Sequence, residues 1–320
     1  MGEGALDPNE CLPRLRGDER DAHRVRLPQS ALRSARHDAD PPRVLPRQRR
    51  HLHVLAASRG KGGRGMAHLS GRACGHRDAN VRAAAGELDV VAVSIARWPS
   101  IARDYLLLPH GMSVGRGYGP VVVAERGCDL ASLEGARIGV PGLRTTACLV
   151  LRLLLPRFEA VVVPISPYSR AFDAVRKREV DGALLIHEGR LTYEREGFAR
   201  VCDLGEAWAA ATGGMPLPLG GNAIRRGLGA ELVAKVSRLC RASIEWALAH
   251  REETLQALLE RESRTDLALD RELLDRYLAM YANADTLDPP GDVRRAIDEM
   301  YARAHARGLM QTRAVVDMAP

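Results

Sequence analysis

The sequence predicts an α/β fold with mostly parallel sheets, and three observations carry that prediction. Apolar, β-branched runs short enough for buried strands recur from Glu87 onward. Helix-like stretches of period 3.6 separate them, which is the alternation of a strand–helix–strand chain. Beyond Gly229 the texture turns wholly helical, and no repeat or low-complexity stretch interrupts the part from Glu87 on.

The elements follow in order. ELDVVAVSIA (87–96) reads as a buried parallel strand ending near Ser94, and SIARDYLLL (100–108) as a short helix. GPVVVAE (119–125) and ARIGVPG (136–142) are strands, and TTACLVLRLLL (145–155) is a helix. EAVVVPIS (159–166) is a strand, SRAFDAVRKREV (169–180) an amphipathic helix and DGALLIHE (181–188) the next strand. ELVAKVSRLCRASIEWALAHREETLQALLERE, DRELLDRYLAMYANA and DVRRAIDEMYARAHARG supply the C-terminal helices.

The net charge of +7 suggests a nucleic-acid binder until the chain is divided. Residues 1–84 hold 16 Arg and one Lys against 9 acidic residues, a net of +8, while residues 85–320 hold 30 basic against 31 acidic, a net of −1. The second part has the near-neutral charge balance of a soluble enzyme, with no nucleic-acid partner expected. Cys11, Cys74, Cys128, Cys148, Cys202 and Cys240 form no CxxC pair and read as free thiols rather than a disulfide frame or metal site. The opening residues show no apolar core of a signal peptide, and no apolar run is long enough for a membrane span, so a cytoplasmic protein is expected.

Residues 1–84 do not read as a fold. The first 97 residues contain no Phe, Tyr or Trp, Ile first occurs at Ile95, and six of the ten His lie here. Such composition offers too little apolar surface to offset chain entropy. Three readings fit it: a disordered basic tail, a transit-like extension, or an out-of-frame translation of GC-rich codons. All three predict an irregular segment.

VPGLRTTA (140–147) is a strand, a glycine turn and a helix start, with Thr145 and Thr146 where an N-cap belongs. Plain capping is the simpler reading; the alternative is an anion held by the open backbone N–H groups. GRGYGP (115–120) precedes a strand, the wrong context for a phosphate cradle. A histidine such as His187 is most often a satisfied core or surface residue. Its place at the C-terminal end of a strand, where open α/β sheets put their ligands, instead favours a proton acceptor. Glu188 is expected on the opposite face of the same extended strand and is not paired with it.

GRGYGPVVVAE, IGVPGLRTTA, FDAVRKREVDGALLIHEGRLTYEREG, VCDLGEAW and LPLPLGGNAIRRGLG resemble the 1,4-dihydroxy-6-naphthoate synthase family of the futalosine route to menaquinone. The resemblance covers about residues 86–310. It implies a two-lobed fold like that of periplasmic binding proteins, closed around a central cleft. Residues 126–217 would form the lobe carrying the histidine, and 85–125 with 218–320 the discontinuous other lobe. The implied reaction cleaves cyclic de-hypoxanthine futalosine to 1,4-dihydroxy-6-naphthoate, with no cofactor. His187 falls on the family's proton acceptor, and Thr146 and Ala147 on its substrate-binding pair. Ala92, Val93 and Ser94 fall on a second substrate-binding turn, where Ala92 replaces a lysine found in family members. The family's opening Ser-Pro strand has no counterpart in VLPRQRRHLHVL (44–55), but a one-nucleotide shift of permissible codons there yields CSPANDATFTF. Its Ser-Pro starts at position 45, 49 residues before Ser94 and close to the family spacing. Normal frame would resume near Arg82. A non-catalytic small-molecule binder of the same fold and an inactive product of a displaced frame are the alternatives.

Overall fold

Two sheets organise the chain, and one strand near the C-terminal side of the sequence ties the first of them together. The computed structural model describes residues 88–165, 167–261, 270–311 and 313–320. The expectation for residues 1–84 therefore lies outside the described residues. The strands are β1 (Val90–Ser94), β2 (Tyr105–Leu107), β3 (Ser113–Gly115), β4 (Val121–Ala124), β5 (Arg137–Val140), β6 (Glu159–Val162), β7 (Gly182–Leu185), β8 (Ala199–Asp203) and β9 (Leu217–Arg225). The helices are α1 (Thr146–Leu154), α2 (Ser169–Arg176), α3 (Gly189–Thr192), α4 (Leu204–Thr212), α5 (Ala230–Ala249), α6 (Arg251–Arg261), α7 (Arg271–Tyr281), α8 (Ala284–Leu287) and α9 (Gly291–Ala306).

The five-stranded sheet has the order β6-β5-β7-β4-β8. β5 is parallel to β6 and β7, whereas β4 enters in reverse between β7 and β8. Both faces are covered, which is why VVVA and GALL carry no polar alternation. Val121, Val123, Ala183 and Leu185 pack with Phe172 and Val175 of α2, while Val122, Ile138, Val140 and Leu184 join the largest core with α1.

The other sheet has the order β1-β9-β2, with β3 also paired to β9, and each of these pairings is antiparallel. The largest core runs through both sheets, and α1 and α9 are common to it. Among the described residues no helix is long and apolar enough to cross a membrane.

Three sequence expectations are corrected. The sheets are not mostly parallel: β5 is parallel to β6 and β7, but every other strand pairing among the described residues is antiparallel, β1 with β9 included, because periodicity reports burial and not strand direction. The segment 100–108 is a turn followed by β2, not a helix. Its Ile101, Tyr105 and Leu108 stand at helical spacing and all are buried, but they reach the core from a turn and a strand. Finally, β4 belongs to the five-stranded sheet, so the segment up to residue 125 does not stay with the first lobe.

Candidate active site

Parallel pairing places the C-terminal ends of β5, β6 and β7 at one end of the five-stranded sheet. The turn to α1 leaves from β5 there, and the His187 segment leaves from β7. β7 stops at Leu185, and the chain turns at His187, whose φ is 52°. Glu188 is thus not on the opposite face of an extended strand, as the sequence suggested. It stands just before the short α3 with helical backbone angles, and it is buried.

A non-glycine residue at positive φ carries roughly 1–3 kcal/mol of strain. The other such residue among those described, Arg178 at 57°, follows α2 and has the ordinary left-handed conformation of a helix exit. His187 ends no helix, so its geometry has no such local explanation. Nδ1 of His187 lies 3.1 Å from the hydroxyl oxygen of Tyr277, and the two rings meet edge to face.

Thr145 is the N-cap of α1, and its hydroxyl oxygen accepts the Cys148 N–H at 3.2 Å. The N–H groups of Thr146 and Ala147, in the first turn, have no intrahelical acceptor by the geometry of a helix start. The Thr146 hydroxyl donates to Leu219 O at 2.6 Å and accepts from Ala96 N at 3.1 Å. The helix start is therefore anchored to the exit of β1 and to β9.

On β1 the side chains alternate, with Val91 and Val93 buried and Ala92 and Ser94 half-buried on the other face. Val93 can thus offer a ligand on that face only its backbone. Ala92 stands opposite Asn222 and Ser94 opposite Gly220. Asn222 is buried, and its Nδ2 has no hydrogen-bond partner among the described residues. The same holds for the buried Nε of Arg97, three residues beyond Ser94. Burial, and then the like charge of Arg144, hold the Arg97 guanidinium below its ordinary pKa. Arg97 and Arg144 thus put two like charges near the helix start, where an anion would stabilise both.

Behind His187, the Arg190 guanidinium bonds to Asp203 at 2.7 Å, with the two side chains 10% and 1% exposed. Asp203 also caps α4 by accepting the Gly205 N–H. Burial pushes the Asp203 carboxyl up, an effect that Arg190 opposes. Tyr118 lies under the same guanidinium and edge-on to Tyr281, and burial raises both phenols. The Cys202 thiol is pushed up to about 11 by burial and then by Asp203, which leaves it a poor nucleophile. Among the described residues no cluster of three or more His, Cys, Asp or Glu has the arrangement of a metal centre.

The structure brings Ser94, Thr146 and Ala147 together around Leu219 and Gly220, and it sets His187 at the same sheet end as the α1 start. Arg97, Asn222 and Tyr277 were not singled out from the sequence. The buried polar Asn in GGNAIRR was a usable signal, whereas RELLDRYLAMY gives no reason to prefer Tyr277 to Tyr281.

A profile of the menaquinone biosynthesis family matches residues 77–306. The 1,4-dihydroxy-6-naphthoate synthase of Thermus thermophilus is 39% identical over 224 residues, covering 70% of this chain and 79% of that protein. The enzyme of the same name from Streptomyces coelicolor is 37% identical over 238 residues, 72% of this chain and 80% of that one. Among solved structures, protein AF1704 of Archaeoglobus fulgidus is 39% identical with a TM-score of 0.69, over 75% of this chain and 86% of that one. The alkanesulfonate-binding protein SsuA of Xanthomonas axonopodis, 14% identical with a TM-score of 0.55 over 74% and 81% of the two chains, shares the fold.

Proposed function

The chain belongs to the menaquinone biosynthesis family, and from that premise we propose that it is a 1,4-dihydroxy-6-naphthoate synthase with His187 as general base. The substrate is cyclic de-hypoxanthine futalosine. The observation that carries the reading is the strained His187 backbone at the C-terminal end of the parallel strands, inside the LIHEG block. A neutral imidazole there removes a substrate proton and so starts the cleavage that releases the sugar-derived fragment. The N–H groups of Thr146 and Ala147 hold a ligand carboxylate or hydroxyl, and Ser94 and Ala92 line the same region with Val93 contributing backbone. The charge that Ala92 cannot supply comes from Arg97 and Arg144, which suits a product that is itself a carboxylate. The reaction runs in the cytoplasm without a cofactor.

Purified protein incubated with cyclic de-hypoxanthine futalosine tests this by chromatographic detection of 1,4-dihydroxy-6-naphthoate. His187→Ala is expected to lower kcat by at least about a hundredfold while calorimetry still detects binding. Tight binding without turnover by the unmodified chain would favour a non-catalytic binder of this fold. Neither binding nor turnover would favour an inactive product with a displaced frame over residues 1–84.

A further inference from the structure

His187 and Tyr277 come from different halves of the molecule. His187 follows β7 of the five-stranded sheet, while α7, which carries Tyr277, packs on β3 of the four-stranded sheet and on α6. Tyr277 is half-buried against the small core of Leu255, Leu258, Leu274 and Leu278 that joins α6 to α7. Tyr281, one turn further on, lies against it with ring centroids 5.2 Å apart. The Tyr277 ring is thus fixed by its own helix pair, and its hydroxyl oxygen is presented to Nδ1 of His187 at 3.1 Å.

A neutral histidine acts as a base through one nitrogen when the other carries the hydrogen, and an acceptor for that hydrogen fixes the tautomer and the ring orientation. At this distance the phenol oxygen can be that acceptor. We propose that Tyr277 is a positioning residue for His187: its oxygen accepts the Nδ1–H bond and holds the imidazole in the tautomer whose Nε2 takes the substrate proton. This rests on the reading of His187 as the base. The base on one half of the molecule is then oriented by the other half. The ionisable groups nearby are Glu188, Arg190 with its partner Asp203, Tyr118, Tyr168 beside Gly189, and Tyr281. Burial moves the Tyr118 and Tyr281 phenols further above neutral pH, so neither carries a charge there.

The test is nitrogen-15 NMR of the full chain labelled at histidine, with His187→Ala used to assign the signal. The expected result for the parent protein is the Nδ1–H tautomer at high pH. Tyr277→Phe, which keeps the ring and removes only the hydroxyl, is expected to mix the two tautomers. It should also lower the His187 titration midpoint, because the imidazolium loses an acceptor. In turnover, kcat should fall about tenfold to a hundredfold with KM changed less than about twofold, and the acid limb of the pH profile should move to lower pH. A parent in the Nε2–H tautomer, a midpoint that rises in Tyr277→Phe, or an unchanged tautomer and kcat would each overturn the proposal. The tautomer is read without substrate. A parent protein with the expected tautomer but no turnover would therefore count against the functional reading and not against this contact.

Discussion

The hydroxyl of Thr146 joins two strands to one helix: it donates to Leu219 O at 2.6 Å while accepting the Ala96 N–H at 3.1 Å. Thr146 is 2% exposed, so the Ala96 N–H depends on this one oxygen in a nearly dry place, whereas Leu219 O also accepts the Ile95 N–H at 3.1 Å. Thr146→Val keeps the shape and strands the Ala96 N–H. The expected loss is about 2 kcal/mol, read by urea unfolding, whereas Thr146→Ser should stay within about 1 kcal/mol. A valine variant as stable as the parent would mean that the Ala96 N–H finds another partner.

At position 187 the backbone itself can be tested. With φ at 52°, glycine adopts the conformation freely and alanine adopts it at a steric cost. Both variants lack the imidazole and should lack turnover. His187→Gly is nevertheless expected to be more stable than His187→Ala by about 0.5–1 kcal/mol. Equal stability would show that the segment relaxes out of the left-handed region once the histidine is gone.

Removing Asp203 exposes two debts at once. Arg190 keeps a buried charge without its partner, and α4 loses its cap. Asp203→Ala should therefore destabilise by about 3–5 kcal/mol. Pairing Asp203→Asn with Arg190→Met, which keeps a capping oxygen and removes both charges, should recover most of that. A double variant as unstable as Asp203→Ala would place the loss in packing instead.

Arg116 bonds to Asp285 at 2.7 Å and to Asp292 at 2.8 Å, tying β3 to α8 and the start of α9. The guanidinium holds the Asp292 carboxyl below its ordinary pKa. A carboxyl depressed in the folded state contributes fully above its unfolded pKa, about 4, and the contribution fades as pH falls through the lower folded value. The stability gap between the parent and Arg116→Gln should accordingly be modest, widest near pH 7, and narrower below about pH 4. A gap that does not change with pH would remove the ionic contribution.

Arg97→Gln removes a guanidinium whose buried Nε has no hydrogen-bond partner among the described residues. It should raise KM about tenfold or more, with a smaller change in kcat, and weaken inhibition by an aromatic carboxylate to match. Unchanged KM would move the ligand's carboxylate away from the β1 exit.

The run from β5 to β7 was legible because strand, crossover helix and strand are each continuous apolar or amphipathic segments in chain order. The cap at Thr145 was legible from residue type alone. β9 was not, since LPLGGNAIR carries a proline and two adjacent glycines that read as a loop. Its glycines answer to neighbours that a local reading does not contain: a Cβ at Gly221 would come within 3.1 Å of Leu107 Cδ1. The substrate-binding turn was placed by resemblance, but its alternation of faces, which separates Val93 from Ala92 and Ser94, needed the strand pairing. Tyr277 meets His187 through tertiary structure 90 residues away, and no local pattern announces that.

β9 also sets an order of events during synthesis. The five-stranded sheet has all its strands once Asp203 has emerged from the ribosome, whereas β1, β2 and β3 each pair with β9, which ends at Arg225. The apolar strand around Val91 and Val93 must therefore wait, unpaired, through more than a hundred residues of translation while the later sheet assembles ahead of it. That waiting interval is when the nascent chain is most open to chaperone capture or to association with its neighbours on a polysome.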